Sequence, residues 1–244
     1  MTRTPLFGIP FDDVPLAAAL DAAMGLMQGG GCAYAVTPNP EIVLEARKNR
    51  ELFDALTGAA LILPDGVGLI WASRLAGTPL RHRLPGIDFA EALLERLEAE
   101  NGTVYLLGAG PGVAAQAAAA LAARRPGLRI CGCRHGYFEE TENETIIREI
   151  NAAHADLILV CLGSPKQELW MQQAAPRLDR GLLIGLGGAL DVLAGRKKRA
   201  PVWMRRLGLE WLYRLAREPS RIKRMIRLPG ILTAAMKEKG RKQE

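Results

Sequence analysis

The stretch TVYLLGAGPGVAAQAAAALAARRPGLRICGC, residues 103–133, reads as strand, glycine turn, helix and strand. Its first apolar run, TVYLLG (103–108), is continuous rather than alternating. That is the pattern of a strand covered on both faces. GVAAQAAAALAARR (112–125) is long enough and alanine-rich enough for a crossover helix. LRICGC (128–133) then supplies a second strand. The same alternation continues outward in both directions. Strands are predicted at CAYAVT (32–37), AALILP (59–64), DLILVCLG (156–163) and GLLIGLG (181–187). Helices are predicted over 40–56, 88–100 and 141–154. This alternation implies an α/β fold, a mostly parallel sheet with helices on both faces.

At 244 residues the chain has room for one large domain, or one domain with an appendage. The start, MTRTPLFGIPFDDV, breaks at Pro and Asp at once, so no secretory signal is expected there. No apolar run approaches the roughly 18–20 residues of a spanning helix. Cys32, Cys131, Cys133 and Cys161 match no zinc-site spacing and read as reduced thiols beside strands.

Charge divides the chain unevenly. Residues 196–244 hold 16 Lys+Arg against 4 Asp+Glu, a net +12. The other 195 residues hold 16 against 22, a net −6. The predicted organisation is therefore an α/β body over 1–195 and a basic helical appendage over 196–244. The appendage carries Trp203, Trp211 and Tyr213, and Met204, Leu207, Trp211 and Leu215 recur at helical spacing. Arg214, Arg217, Arg221 and Arg224 line up as a cationic stripe if the helix continues. Two short amphipathic helices are expected, over 202–217 and 219–227, with Pro219 starting the second and Pro229-Gly230 ending it. Basic residues mixed with interfacial aromatics suit an anionic surface.

In an open parallel sheet, ligands bind beyond the carboxyl ends of the strands. The residues that follow each predicted strand are small and polar. They include Thr37-Pro38-Asn39, Asp65-Gly66, Ala109-Gly110, His135-Gly136-Tyr137, Lys166-Gln167 and Gly188 to Asp191. Such a rim suits a polar, phosphate-bearing ligand. The turn from Gly108 through Gly110 to Gly112 offers backbone amides to an anion, or is simply a tight turn. It is not a dinucleotide fingerprint, because Val113 stands at the third glycine position and no acidic residue lies at 128–130. Asp65, between an apolar strand and a Gly-x-Gly turn, reads either as a general base or as the N-cap of the next helix. Asp191 has a similar but weaker case. His135 is read first as structural. There is no nucleophile elbow, no zinc-protease motif and no Asp-x-Asp pair after a strand. Chemistry without a bound metal or cofactor is the expectation.

Taken together, these turns resemble the WecG/TagA/CpsF glycosyltransferases (glycosyltransferase family 26). The resemblance rests on Thr37-Pro38-Asn39-Pro40-Glu41, Pro64-Asp65-Gly66-Val67-Gly68, Arg83-Leu84-Pro85-Gly86-Ile87-Asp88, Gly163 to Trp170, Gly187 to Asp191 and Ala194-Gly195, in that order. In the tail it rests on Arg199-Ala200-Pro201-Val202-Trp203, Gly208-Leu209-Glu210-Trp211, Arg214-Leu215 and Glu218-Pro219-Ser220-Arg221. It spans roughly residues 5–228. It implies a Rossmann-like body and an inverting transfer of a sugar from a UDP-sugar donor to a polyprenyl-diphosphate-linked sugar acceptor. The polymer would be a bacterial surface polysaccharide or teichoic acid, built at the inner face of the cytoplasmic membrane. Carried over by position, Asp65 resembles the base. Thr37, Asn39, Arg83 and Gln167 resemble a sugar and diphosphate pocket. Gly108, Gly110, Tyr137, Lys166 and Asp191 complete the implied substrate site. Arg214, Arg221 and Arg224 would face diphosphates, with the tail as anchor and lid. Leu190 and Met225 stand where aromatics are expected. A homo-oligomer is left open.

Three other function classes fit less well. A nucleic-acid binder is disfavoured because the charge is confined to one segment without a reading motif. A nicotinamide oxidoreductase lacks its fingerprint. A non-catalytic membrane scaffold has no use for the polar rim around Asp65.

Overall fold

A computed structural model describes residues 3–217, 222 and 229–241, except for the side chains of Arg206, Arg214 and Arg241. Six parallel strands form the central sheet. They are β3 (Gly31–Val36), β4 (Leu61–Ile62), β5 (Thr103–Gly108), β6 (Arg129–Arg134), β7 (Leu157–Cys161) and β8 (Arg180–Gly185). Their order across the sheet is β4-β3-β8-β7-β5-β6. The α/β architecture with a parallel, Rossmann-like sheet is thus present. An antiparallel hairpin of β1 (Arg3–Leu6) and β2 (Ile9–Asp12) precedes the sheet.

Helices cover both faces, and strand alternation feeds both. On β5, Tyr105 and Leu107 point into one core, and Val104 and Leu106 into the other. The first core packs the hairpin, α2 (Pro40–Ala46), α3 (Arg50–Thr57), α4 (Val67–Leu75), α7 (Asn143–Ala152) and α8 (Lys166–Ala174). The second packs α1 (Leu16–Gln28), α5 (Gly86–Ala99), α6 (Val113–Arg124) and α9 (Ala189–Leu193).

Several sequence expectations are corrected. The single helix expected over 40–56 is two, because Asn49 caps α3 by accepting from Leu52 N. Asp65 is not a helix cap: Gly66 is the N-cap of α4, at φ 96°, and no side chain caps it. The single helix expected over 202–217 is broken into α10 (Val202–Arg206) and α11 (Glu210–Arg217), with Gly208 at φ 72° between them. Residues 219–227, Ile222 apart, lie outside the described residues, and Arg221, Arg224 and Met225 with them. Pro229-Gly230 begins a helix that was not expected, α12 (Pro229–Arg241). Proline suits the first turn, where its missing N–H costs nothing. Ile231 and Ala235 of α12 are buried in the first core, and Glu238 accepts from Phe7 N at 3.1 Å. Among the described residues, the basic stretch therefore holds two things, an exposed elbow at α10–α11 and a helix packed in the core of the body.

Candidate active site

The carboxyl ends of the six strands form one rim. β4 and β5 are four strand spacings apart, roughly 19 Å. The rim therefore has two ends with different chemistry.

At the β4 end, Thr37, Asp65, Arg83 and Gly86 come together. The Asp65 N–H donates to Pro38 O at 3.2 Å, and its Oδ2 accepts from Gly86 N at 3.3 Å. Gly86 is the first residue of α5, so this carboxylate sits at a helix N-terminus, where negative charge is favoured. Thr37 donates its hydroxyl to Gly185 O at 3.1 Å. A Cβ on Gly86 would stand 2.6 Å from that hydroxyl, so only glycine lets α5 approach Thr37 this closely. Asn39 caps α2 by accepting from Glu41 N and Ile42 N at 2.9 and 3.1 Å, which commits its carbonyl oxygen. Arg83 donates Nη2 to Arg205 O at 3.0 Å and so ties this end of the rim to α10.

The middle of the rim is fixed from beneath. Gln167 is buried at the start of α8, accepts from Gly187 N at 2.9 Å, and donates Nε2 to Glu168 Oε1 at 2.7 Å. Both ends of its amide are thereby set, and the Gly187-Gly188 turn with them. Glu168 is only 2% exposed, and its Oε2 has no hydrogen-bond partner among the described residues. Burial pushes its carboxyl above the ordinary value of 4.5. Sequence reading passed over Glu168, because only burial distinguishes it from a surface glutamate. Asp191, in the first turn of α9, has its backbone O bonded to Lys197 N at 3.0 Å.

At the β5 end, the chain turns through Gly108, Ala109 and Gly110 to an αL Gly112, and α6 begins there with no side-chain cap. A Cβ on Gly108 would fall 2.4 Å from Cys161 O, so β5 and β7 close here only because this residue is glycine. Ala109 N donates to that same oxygen at 2.9 Å. Tyr137 is 74% exposed over this end. Lys166 donates to Gly136 O at 3.3 Å and lies 4.5 Å from the Phe138 ring centroid. His135 is part-buried, and its Nδ1 has no hydrogen-bond partner among the described residues. An exposed ring, an uncapped helix N-terminus and a lysine suit a nucleoside phosphate.

Cysteine chemistry is poorly placed in this fold. All four thiols are free, and burial pushes those of Cys32 and Cys161 up to about 12. Among the described residues, no three His, Cys, Asp or Glu side chains gather as a metal ion requires. Of the predicted site residues, Thr37, Asp65 and Arg83 are brought together, with Asn39 beside them. Gln167 supports the centre, and Gly108, Gly110, Tyr137 and Lys166 mark the far end. The Arg214 side chain, Arg221 and Arg224 lie outside the described residues.

Comparison with known proteins bears on the chain as a whole. The chain is 36% identical over 205 residues to an N-acetylglucosaminyldiphosphoundecaprenol N-acetyl-beta-D-mannosaminyltransferase of Bacillus spizizenii, covering 84% of this chain and 79% of that one. It is 33% identical over 229 residues to the Staphylococcus aureus enzyme of the same name, covering 93% and 89%. The sequence profile of the Glycosyl transferase WecG/TagA/CpsF family matches residues 4–244. By these matches, which run through both the body and the basic tail, the chain belongs to the WecG/TagA/CpsF family of glycosyl transferases.

Proposed function

We propose that this glycosyl transferase moves an N-acetylmannosaminyl group from a UDP-sugar donor to a polyprenyl-diphosphate-linked N-acetylglucosamine. The acceptor class follows the names of the relatives. The donor nucleotide is our own reading. The observation that carries the proposal is a rim with an anion-suited glycine turn at one end and Asp65 at the other. It is long enough, at roughly 19 Å, for donor and acceptor to lie end to end.

In the proposed step, Asp65 takes the proton from the attacking acceptor hydroxyl. The hydroxyl oxygen bonds to the anomeric carbon from the face opposite the donor phosphate. The bond from that carbon to the phosphate oxygen breaks, and the nucleoside diphosphate leaves. One displacement inverts the anomeric centre and needs one base. Thr37, Asn39 and Arg83 line the sugar and diphosphate pocket near that base, while Gln167 keeps the rim in shape beneath them. Gly108, Gly110, Tyr137, Lys166 and Asp191 serve the donor. Backbone amides and cations stabilise the charge on the leaving group. No metal is assigned to the step.

We further propose that the protein works on an anionic membrane surface, the inner face of the cytoplasmic membrane. Among the described residues no helix is long and apolar enough to cross a membrane. The α10–α11 elbow leaves Trp203 60% and Leu207 66% exposed within a stretch of net +12. Gly208 packs on Val67 of α4, two residues beyond Asp65 in the chain, which supports a second role for the elbow as a lid.

Turnover of UDP-N-acetylmannosamine with a short-chain alkyl-diphosphate-N-acetylglucosamine, read by mass spectrometry, tests the reaction. Asp65→Asn should slow transfer by about 10²–10⁴-fold, with donor binding retained by calorimetry. Normal turnover in that variant overturns the role of Asp65. Excess EDTA should leave the rate unchanged; strong inhibition would require a metal site.

A further inference from the structure

Three arginines meet beside the base end of the rim. Arg199 Nη1 and Arg205 Nη1 both donate to a single oxygen, Oδ1 of Asp88, at 2.6 and 3.3 Å. Arg83 joins them through its bond to Arg205 O. Glu210 Oε2 forms an ion pair with Arg199 Nη2 at 3.6 Å, longer than a hydrogen bond. Three guanidinium nitrogens, Arg199 Nε, Arg199 Nη2 and Arg205 Nε, are buried with no hydrogen-bond partner among the described residues. Leaving such donors unfilled costs more than a typical hydrogen bond gains. The Asp88 side chain that gathers them is 38% exposed, so the cluster opens to solvent on that side.

We propose that Arg83, Arg199 and Arg205 form an anion subsite for a diphosphate, and that Asp88 holds its place while the subsite is empty. One oxygen shared by two guanidinium groups from one segment of chain is a phosphate-like arrangement made with a carboxylate. Guanidinium forks match phosphate geometry, and a diphosphate brings more acceptor oxygens than one carboxylate can. It would offer hydrogen-bond partners to the buried Arg199 and Arg205 nitrogens that have none among the described residues.

Position selects which diphosphate binds. Asp88 follows Gly86 on α5 by two residues, a rise of about 3 Å along the helix, and Gly86 N is the group that meets Asp65. An anion at the cluster therefore meets the same first turn of α5 as the base does. The glycine turn that suits a donor nucleotide is at the opposite end of the rim. This assignment rests on the function proposed above. The acceptor hydroxyl goes to Asp65 and its diphosphate goes to these arginines. The tail then takes part in acceptor binding through Arg199 and Arg205, residues of its first, described portion.

Inorganic pyrophosphate is the probe, titrated calorimetrically into the full chain at fixed ionic strength with uridine diphosphate saturating. Saturation removes the nucleotide site from the reading and leaves the second one. Arg205→Ala should weaken pyrophosphate binding at least tenfold. Asp88→Asn should tighten it roughly three- to tenfold, because the competing carboxylate charge is gone. Unchanged binding in Arg205→Ala, or unchanged or weaker binding in Asp88→Asn, overturns the proposal and leaves a structural ion network. The gain expected of Asp88→Asn cannot be produced by a misfolded variant. In the transfer assay, Arg205→Ala should raise KM for the short-chain acceptor and leave KM for the donor unchanged. An equal rise in both also overturns it. If the wild-type protein transfers no sugar yet binds pyrophosphate with these dependences, the function reading fails and the subsite stands.

Discussion

Two helical pieces of the same basic tail meet opposite fates. In α12, Ile231 is 1% exposed and Ala235 is fully buried, in the core that also holds β1, β2 and α4. In the α10–α11 elbow, Trp203 and Leu207 are more than half exposed. Both pieces come from a stretch of net +12, and by charge alone they are one unit. The difference lies in which residues recur. Ile231, Ala234 and Ala235 are small or branched and pack closely against α4 and α2. The elbow offers tryptophans and leucines on a turn too tight to bury them all. Composition therefore does not separate the two pieces, and packing does.

The largest expected effect breaks the first half of this contrast. Ile231→Ala should destabilise the protein by about 2–5 kcal/mol, the cost of emptying a buried aliphatic site. Urea unfolding measures it. A loss within experimental error would make α12 a decoration and restore the boundary near Gly195. For the same reason, deleting the whole of 196–244 is a poor test of membrane contact. It uncovers core residues and removes the Glu238 clasp on Phe7 N together with the elbow.

A smaller effect concerns burial in the body itself. The Glu168 carboxyl is held above its ordinary 4.5 by burial first of all, with the Gln167 hydrogen bond opposing. Below that ordinary value, folded and unfolded states both hold the proton, and the stabilisation is complete. As pH rises past it, the unfolded chain loses its proton first, and stability falls until the raised folded-state value is passed. Glu168→Gln removes this slope and keeps an acceptor for Gln167. Unfolding midpoints of the two proteins should diverge as pH rises from 4.5 toward that raised value, in favour of the variant. Parallel curves would mean that the carboxyl is ionised in the folded protein or that it reaches water.

The sheet was legible because both faces are covered, which makes each strand an unbroken apolar run. Thr103–Gly108 was read to the residue. β4 shrank to Leu61–Ile62, since pairing with one neighbour at the sheet edge sets its length, a fact of register rather than pattern. The meeting of Thr37, Asp65 and Arg83 was legible only as the order of short turns, and the contacts among them were not. Gly86 against the Thr37 hydroxyl, or Asp65 against Gly86 N, depends on how α5 enters beside β4. The N-terminal hairpin and α12 were missed together. They pack against each other and against α4, and neither carries a periodicity that announces a partner more than 200 residues away.

The smallest effect on stability tests the second half of the contrast. Trp203→Ser with Leu207→Ser should change folding free energy by less than about 0.5 kcal/mol, because exposed side chains outside the core contribute little. The same pair should sharply reduce co-sedimentation with vesicles containing an anionic phospholipid. Basic residues supply attraction of about 1 kcal/mol each near such a surface, but that attraction is screened by salt, and the apolar side chains are not. Wild-type binding should therefore persist in part at high salt, and binding by the double variant should vanish there. If the variant still binds at high salt, the apolar contact lies elsewhere; the exposed Trp71 and Leu75 of α4 are then the next surface to change. If it loses stability instead, the elbow packs on the body as α12 does. The two pieces of the tail would then differ only in degree.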